Sequence, residues 1–318
     1  MKYLRKKLRD ILIKITLKSK RFQCADSIII FSEARGGSTW LMEILSAALP
    51  VCINWEPLHV ERGVVPKPLK FGWRPFIPAS DINKDYLRLF KEILEFKVHS
   101  DWTRTFLGIK KTIRSNFALT KFVRANLLVP YLIAQFDFKF KPVFLIRHPI
   151  DVCISRTKSF ERDHVSIGHN ITESINSERF IEHAAFLDTL DSDFELQIAH
   201  WCLNNCATIK KLDTNKLCVV FYSDLLLNPE KETEKILDTT GLRVFAENLN
   251  EIEYRNASYT SNSHLEESVE KQLTKNIESL DQGTKQKVQD IFDYFDFKIF
   301  SAFSAFPNKQ LVSNNTLS

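Results

Sequence analysis

The feature that most restricts this chain is a short apolar run that ends in a glycine pair. Residues 27–31 are Ser27-Ile28-Ile29-Ile30-Phe31, and Ser32-Glu33-Ala34-Arg35-Gly36-Gly37-Ser38-Thr39-Trp40-Leu41 follow directly. A β-rich run without polar alternation suits a strand buried on both faces, as in a parallel sheet. Gly36 and Gly37 are two of only eight glycines among 318 residues, so their adjacency marks a turn. Beyond them Trp40, Leu41, Ile44, Leu45 and Leu49 recur at helical spacing up to Pro50. Strand, glycine turn and helix start in succession aim backbone N–H groups and a positive dipole end at one place, which suits an anion. Arg35 adds a planar charge, and Ser38 and Thr39 add hydroxyl donors. A phosphate-loop NTPase needs a lysine immediately before its Ser/Thr; here Gly37 holds that position, which argues against ATP or GTP hydrolysis.

The alternation continues along the chain. Further strand runs lie at 51–55, 119–123, 143–146 and 219–222, and helical patterns at 126–135, 149–158, 195–212, 229–240 and 285–295. Strands alternating with helices predict an α/β fold with a parallel sheet flanked by helices. No repeat or Pro/Gly-rich linker divides the chain, so one domain is expected over 25–306, with a flexible tail at 307–318. Polar stretches at 159–180 and 254–268 read as surface loops or lids. With 44% hydrophobic residues the chain can bury a core, which excludes wholesale disorder.

The net charge of +5 is unevenly placed. Residues 1–21 carry nine Lys or Arg against the single acid Asp10, so the remainder has a slight acidic excess. The body is therefore no general polyanion binder, and no nucleic-acid partner is expected. Leu4, Leu8, Ile11, Leu12 and Ile15 fall at helical spacing among those bases, making 1–24 a basic amphipathic segment. Two readings stand: contact with anionic lipid at a membrane periphery, or packing against the domain with a solvated charged face. No apolar run approaches the ~20 residues needed to cross a bilayer. The six cysteines show no CxxC pair, which predicts reduced thiols in a cytoplasmic protein and no metal site.

A second anion-suited element is Lys141-Pro142-Val143-Phe144-Leu145-Ile146-Arg147-His148-Pro149-Ile150-Asp151-Val152-Cys153-Ile154-Ser155-Arg156. A buried strand ends in Arg147, and Pro149 opens a helix where its missing N–H costs nothing. Arg147 at the strand end and Ser155 two turns into the helix can grip one phosphate from two sides.

Together the two elements resemble those with which sulfotransferases hold 3′-phosphoadenosine 5′-phosphosulfate (PAPS). The first is similar to the loop for the 5′-phosphosulfate, the second to the 3′-phosphate element written L-V-R-D-P-R-x-V…S-R. Arg147, Pro149, Val152, Ser155 and Arg156 match that pattern, while His148 replaces the Asp and Ile150 the Arg. Asn54-Trp55-Glu56-Pro57-Leu58-His59 resembles the E-P-[LMV]-x-H segment of carbohydrate sulfotransferases, with His59 one position early. Lys121-Phe122-Val123-Arg124 followed by 127–132 resembles the strand and helix that precede the 3′-phosphate element. Phe221-Tyr222-Ser223-Asp224-Leu225 and the residues to Glu230 are similar to Y-E-D-L-x-x-x-P-E. The resemblance is strongest to the carbohydrate and bacterial enzymes and spans roughly 27–242.

What the resemblance implies is a P-loop-like, three-layer α/β/α fold and transfer of a sulfuryl group from PAPS to an acceptor hydroxyl without a metal. The acceptor expected from the Glu56–His59 segment is a carbohydrate or glycolipid. Arg35, Gly36, Gly37, Ser38, Thr39 and Trp40 would hold the 5′-phosphosulfate, and Arg147 with Ser155 the 3′-phosphate. Glu56 is the expected base, and His59 the runner-up, because its ordinary pKa suits proton uptake near neutrality. A Glu56 ion pair with Arg35 or Lys121 is the alternative to that role. Lys121 and Arg124 stand three apart on an expected strand, so only one should reach the pocket. The hydroxyl-rich run 257–263 reads as a donor-side lid or a solvated loop, and Trp201 as a core residue rather than an adenine platform. The competing functions are a P-loop-like nucleoside or small-molecule kinase and a non-enzymatic nucleotide-binding module.

Overall fold

The computed structural model describes residues 2–159, 177–254 and 268–313. Five strands form one sheet: β1 (Ile28–Ser32), β2 (Val51–Trp55), β3 (Phe117–Phe122), β4 (Val143–Ile146) and β5 (Cys218–Phe221). Their order is β2-β3-β1-β4-β5, and every neighbouring pair is parallel. The parallel sheet between helices expected from the sequence is the architecture observed. Register follows from pairs such as Ile30 with Lys121 on one side and Ile30 with Val143 on the other.

The helices are α1 (Lys2–Ser19), α2 (Ser38–Ala48), α3 (Lys84–Leu94), α4 (Ile109–Arg114), α5 (Val129–Gln135) and α6 (Pro149–Ser159). They continue with α7 (Ala184–Leu187), α8 (Asp193–Ile209), α9 (Tyr222–Leu227), α10 (Pro229–Thr240), α11 (Val269–Glu278), α12 (Gln282–Tyr294) and α13 (Gln310–Ser313). Alternation along β1 creates the layers. Ile28 and Ile30 face α2 and α10 through Leu41, Leu45, Ile236 and Leu237. Ile29 and Phe31 face the opposite core, where α3, α6, α8 and α12 contribute Phe90, Ile150, Trp201 and Phe292. Trp201 is thus a buried core residue. A third cluster fastens α1 to the sheet edge, as Ile13, Leu17 and Phe22 pack with Cys52, Leu107 and Ala118.

Several boundaries differ from the expected ones for physical reasons. Tyr222 begins α9 instead of closing β5. β3 ends at Phe122, so Arg124 lies beyond the strand and escapes its alternation. α3, unforeseen, begins where the Asn83 side chain accepts from the Asp85 N–H at 2.9 Å. The expected tail holds α13, in which Val312 is buried, and Lys309 pairs with Asp224 at 2.7 Å. Most of both expected lids (160–176 and 255–267), the 257–263 run included, lies outside the described residues. All six cysteines are free thiols, five of them buried. No helix among the described residues is long and apolar enough to cross a membrane.

Candidate active site

In a parallel sheet every strand delivers its C-terminal end to one edge, where loops gather side chains. β1 delivers the glycine turn there. The Gly36 N–H donates to the Glu33 carbonyl at 2.9 Å, and a side chain on Gly36 would sit 2.3 Å from Ser32 Oγ. Gly37 has φ +91° and lies so close to Tyr222 that a Cβ would fall 2.4 Å from the ring. Both glycines are therefore needed to close the turn, which leaves Ser38 as the first residue of α2. No side chain caps that helix, so its first-turn N–H groups keep their donor capacity. Trp40 packs edge-on against the same Tyr222 ring at 6.0 Å and donates from Nε1 to the Tyr254 carbonyl at 3.2 Å.

The second element meets the first directly. Arg35, at φ 69° in the left-handed region, donates from Nε to Ser155 Oγ at 3.0 Å. Arg147 donates to the Arg35 carbonyl at 3.1 Å and stacks over the Tyr222 ring at 4.5 Å. Burial and then the Arg147 charge lower the pKa of Arg35. Two guanidinium groups so close repel each other, and a multiply charged anion offsets that repulsion. Asp151, one turn along α6, tempers Arg147 at 3.7 Å. His148 caps the start of α6: its Nδ1 accepts from the Ile150 N–H at 3.2 Å, and its Nε2 meets the Ser301 carbonyl at 3.1 Å.

β2 and β3 deliver a third group. Glu56 has φ 40°, and its N–H donates to the Lys121 carbonyl at 3.0 Å. Its carboxylate accepts from Lys121 Nζ at 2.7 Å and from Arg124 at 3.3 Å. Both cations therefore reach the pocket, contrary to the expectation that only one would. Burial alone would push the Glu56 carboxyl up, but Lys121 and Arg124 outweigh it and hold the pKa below the usual value. Lys121, 1% exposed, also donates to Thr39 Oγ1 at 3.3 Å and lies 3.5 Å over the Trp55 ring. A continuous polar line thus runs from the start of α2 through Lys121 to Glu56.

His59 is buried between Trp73 and Trp102, at ring distances of 5.5 and 5.0 Å. Its Nδ1 accepts from the Glu61 and Arg62 N–H groups, both at 3.3 Å. Burial, then Arg124 and Arg62, lower its pKa to about 4. The ring is neutral at pH 7 with its proton on Nε2, so its one lone pair is already engaged. His59, the runner-up base, thus stands between two tryptophans with Nδ1 already engaged.

Sequence reading missed Glu33 as a structural hub. Its carboxylate, 5% exposed, accepts from Arg74 and Arg156, both at 2.7 Å, and from Asn205 at 3.3 Å. Arg156 therefore ties α6 to the loop after β1 through Glu33. The available signal was an acid two residues before an arginine in a turn suited to anions. Among the described residues no group of three or more His, Cys, Asp or Glu is placed to hold a metal.

A family model described as the sulfotransferase domain matches residues 25–314. The chain belongs to the sulfotransferase family. Among solved structures, this sulfotransferase domain is similar to the sulfotransferase domain from the curacin biosynthetic pathway. Identity is 16% over 87% of this chain and 99% of that one, with a TM-score of 0.46. The sulfotransferase domain from the Synechococcus PCC 7002 olefin synthase is 14% identical over 87% and 96% of the two chains, TM-score 0.44. Mouse sulfotransferase SULT7A1 complexed with PAP is 12% identical over 88% and 87%, TM-score 0.39. No curated protein matches the chain.

Proposed function

We propose that this family member moves a sulfuryl group from PAPS to an acceptor hydroxyl on a carbohydrate or glycolipid, in the cytoplasm, where its free thiols stay reduced. The observation that carries this reading is the contact of the two anion elements, Arg35 with Ser155 and Arg147 with the Arg35 carbonyl. Two cationic sites so joined suit a donor with phosphates at both ends of one nucleoside, whereas ATP bears its charge at one end. In this reading the N–H groups at the start of α2, with Arg35, Ser38 and Thr39, hold the 5′-phosphosulfate and receive the charge that grows on the leaving oxygen. Arg147 and Ser155 hold the 3′-phosphate.

The donor supplies an activated sulfuryl group, and the chain positions it and handles one proton. The acceptor O–H proton passes to a Glu56 oxygen as the acceptor oxygen bonds to sulfur and the sulfur–phosphate oxygen bond breaks. A carboxylate held at low pKa is a weak base, so transfer must run with sulfur–oxygen bond formation, when the hydroxyl proton becomes acidic. Lys121, between Thr39 and Glu56, balances charge on both sides of that event.

The carbohydrate acceptor is supported by the aromatic wall beside Glu56. Trp55 packs on Trp102 at 6.2 Å and on Phe106 at 4.4 Å, and Arg124 lies over Trp73. An open groove of about 410 Å³ bounded by Arg62, Asp101, Trp102 and Thr105 adds charged hydrogen-bonding groups to that wall. Aromatic faces with charged neighbours fit the C–H face and hydroxyls of a sugar ring.

Thermal denaturation with added nucleotide tests the donor. PAP should raise the Tm without magnesium, while a magnesium-dependent rise with ATP alone would favour a kinase and overturn the proposal. A screen of hydroxylated acceptors with labelled PAPS then tests transfer, and label appearing on no sugar-containing acceptor discards the acceptor class.

A further inference from the structure

The face of α1 that the sequence marks as apolar is not the face that packs. Ile13 and Leu17 are buried against the body, whereas Leu8, Ile11, Leu12 and Ile15 are 53%, 45%, 48% and 60% exposed. At about 100° per residue these four form one continuous stripe roughly opposite the buried pair. Lys7, Lys14 and Lys18 fall in a row along one margin of the stripe, and all are exposed. The helix is held firmly while it shows this stripe. Arg9 donates to the Leu107 carbonyl at 2.6 Å, and Lys20 Nζ donates to the Ile113 and Ser115 carbonyls at 2.6 and 2.7 Å.

A fixed helix with an outward apolar stripe and a lysine margin has the form of one that lies in a membrane interface. We propose that α1 docks this protein on an anionic lipid surface, with Leu8, Ile11, Leu12 and Ile15 entering the acyl boundary and Lys7, Lys14 and Lys18 at the headgroups. Charge selects lipid over a second copy of the chain. Two stripes packed together would bring lysine rows face to face, and the only acid among residues 1–21, Asp10, is half-buried. The proposal does not rest on sulfuryl transfer. It does bear on it, because Arg9 ties α1 to the segment that carries Trp102 and Phe106 of the aromatic wall.

Vesicle co-sedimentation of the full chain provides the test, with phosphatidylcholine vesicles against vesicles containing about one-third phosphatidylserine. Anionic vesicles should bind about tenfold more tightly than neutral ones, and roughly 0.5 M salt should weaken that binding. Leu12→Asp with Ile15→Asp, and separately Lys7→Glu with Lys14→Glu and Lys18→Glu, should each reduce binding at least about tenfold. These positions are exposed, so the Tm should be unchanged, confirming that the variants fold. Absence of binding by the parent, or binding that survives both sets of changes, overturns the proposal. So does a parent dimer in sedimentation equilibrium that the Leu12→Asp, Ile15→Asp change dissolves, since a second copy would then cover the stripe.

Discussion

In the proposed reaction Glu56 takes the acceptor proton, and its surroundings make a definite forecast. Glu56→Gln keeps the shape and the hydrogen bond from Lys121 but cannot take a proton, so turnover should fall about 10²–10⁴-fold while PAP still binds. Near-normal turnover would remove Glu56 from the chemistry. The same carboxylate is coupled to stability. Its pKa is lower folded than the ordinary value of 4.5, so its pairing stabilises fully above that value and fades as pH falls through the folded pKa. The Tm gap between parent and Glu56→Gln should therefore close on acidification below about 4.5. A gap that widened there would reverse the sign of the coupling. The two arginines are separable as well. Arg147→Ala should weaken PAP binding by about 1.5–3 kcal/mol, the worth of a charged hydrogen bond, whereas Arg35→Ala should lower kcat more than it weakens PAP. Titration calorimetry with PAP and steady-state rates distinguish them, and equal effects on both parameters would refute the division.

Among the elements, the turn between β1 and α2 has the least tolerance. Gly37 combines φ +91° with a ring 2.4 Å from any added Cβ. Gly37→Ala should cost at least about 1–3 kcal/mol in denaturant unfolding and weaken PAP binding, because the start of α2 must shift. Gly108, with nothing within 4 Å of an added Cβ, is the matched control, and alanine there should change stability by no more than about 0.5 kcal/mol. Equal losses at the two glycines would mean that the turn is not specially constrained.

This turn and the strands around it were legible because their signals are local: apolar runs without alternation, adjacent glycines, Pro149 at a helix start. The hub at Glu33 was not, since Arg74, Arg156 and Asn205 come from distant parts of the chain and only folding brings them to one carboxylate. Likewise the alternation applied to Lys121 and Arg124 failed because the strand stops at Phe122, between them. For α1 the periodicity was readable, but its direction was not: which face meets the body depends on Cys52, Leu107 and Ala118, far along the sequence.

At the scale of the whole molecule, two cores on either side of one sheet seal away nearly all its thiol chemistry. Burial pushes Cys153 and Cys218 up to about 12 and Cys24 to about 11. A thiol reagent near pH 8 should therefore react slowly with the folded protein and quickly with all six cysteines after denaturation. Rapid modification of several thiols in the native state would show that the cores open readily.

The single direction shared by the five strands divides the molecule into two rims with unequal freedom. Arg35, Glu56, Arg124 and Arg147 all follow strand ends on one rim. Among the described residues the other rim includes the turn at 213–216 before β5, where Asn215 and Lys216 are exposed. Peptide tags, fluorophores or whole inserted modules belong at that turn, where lengthening the chain adds bulk without moving any of these four side chains.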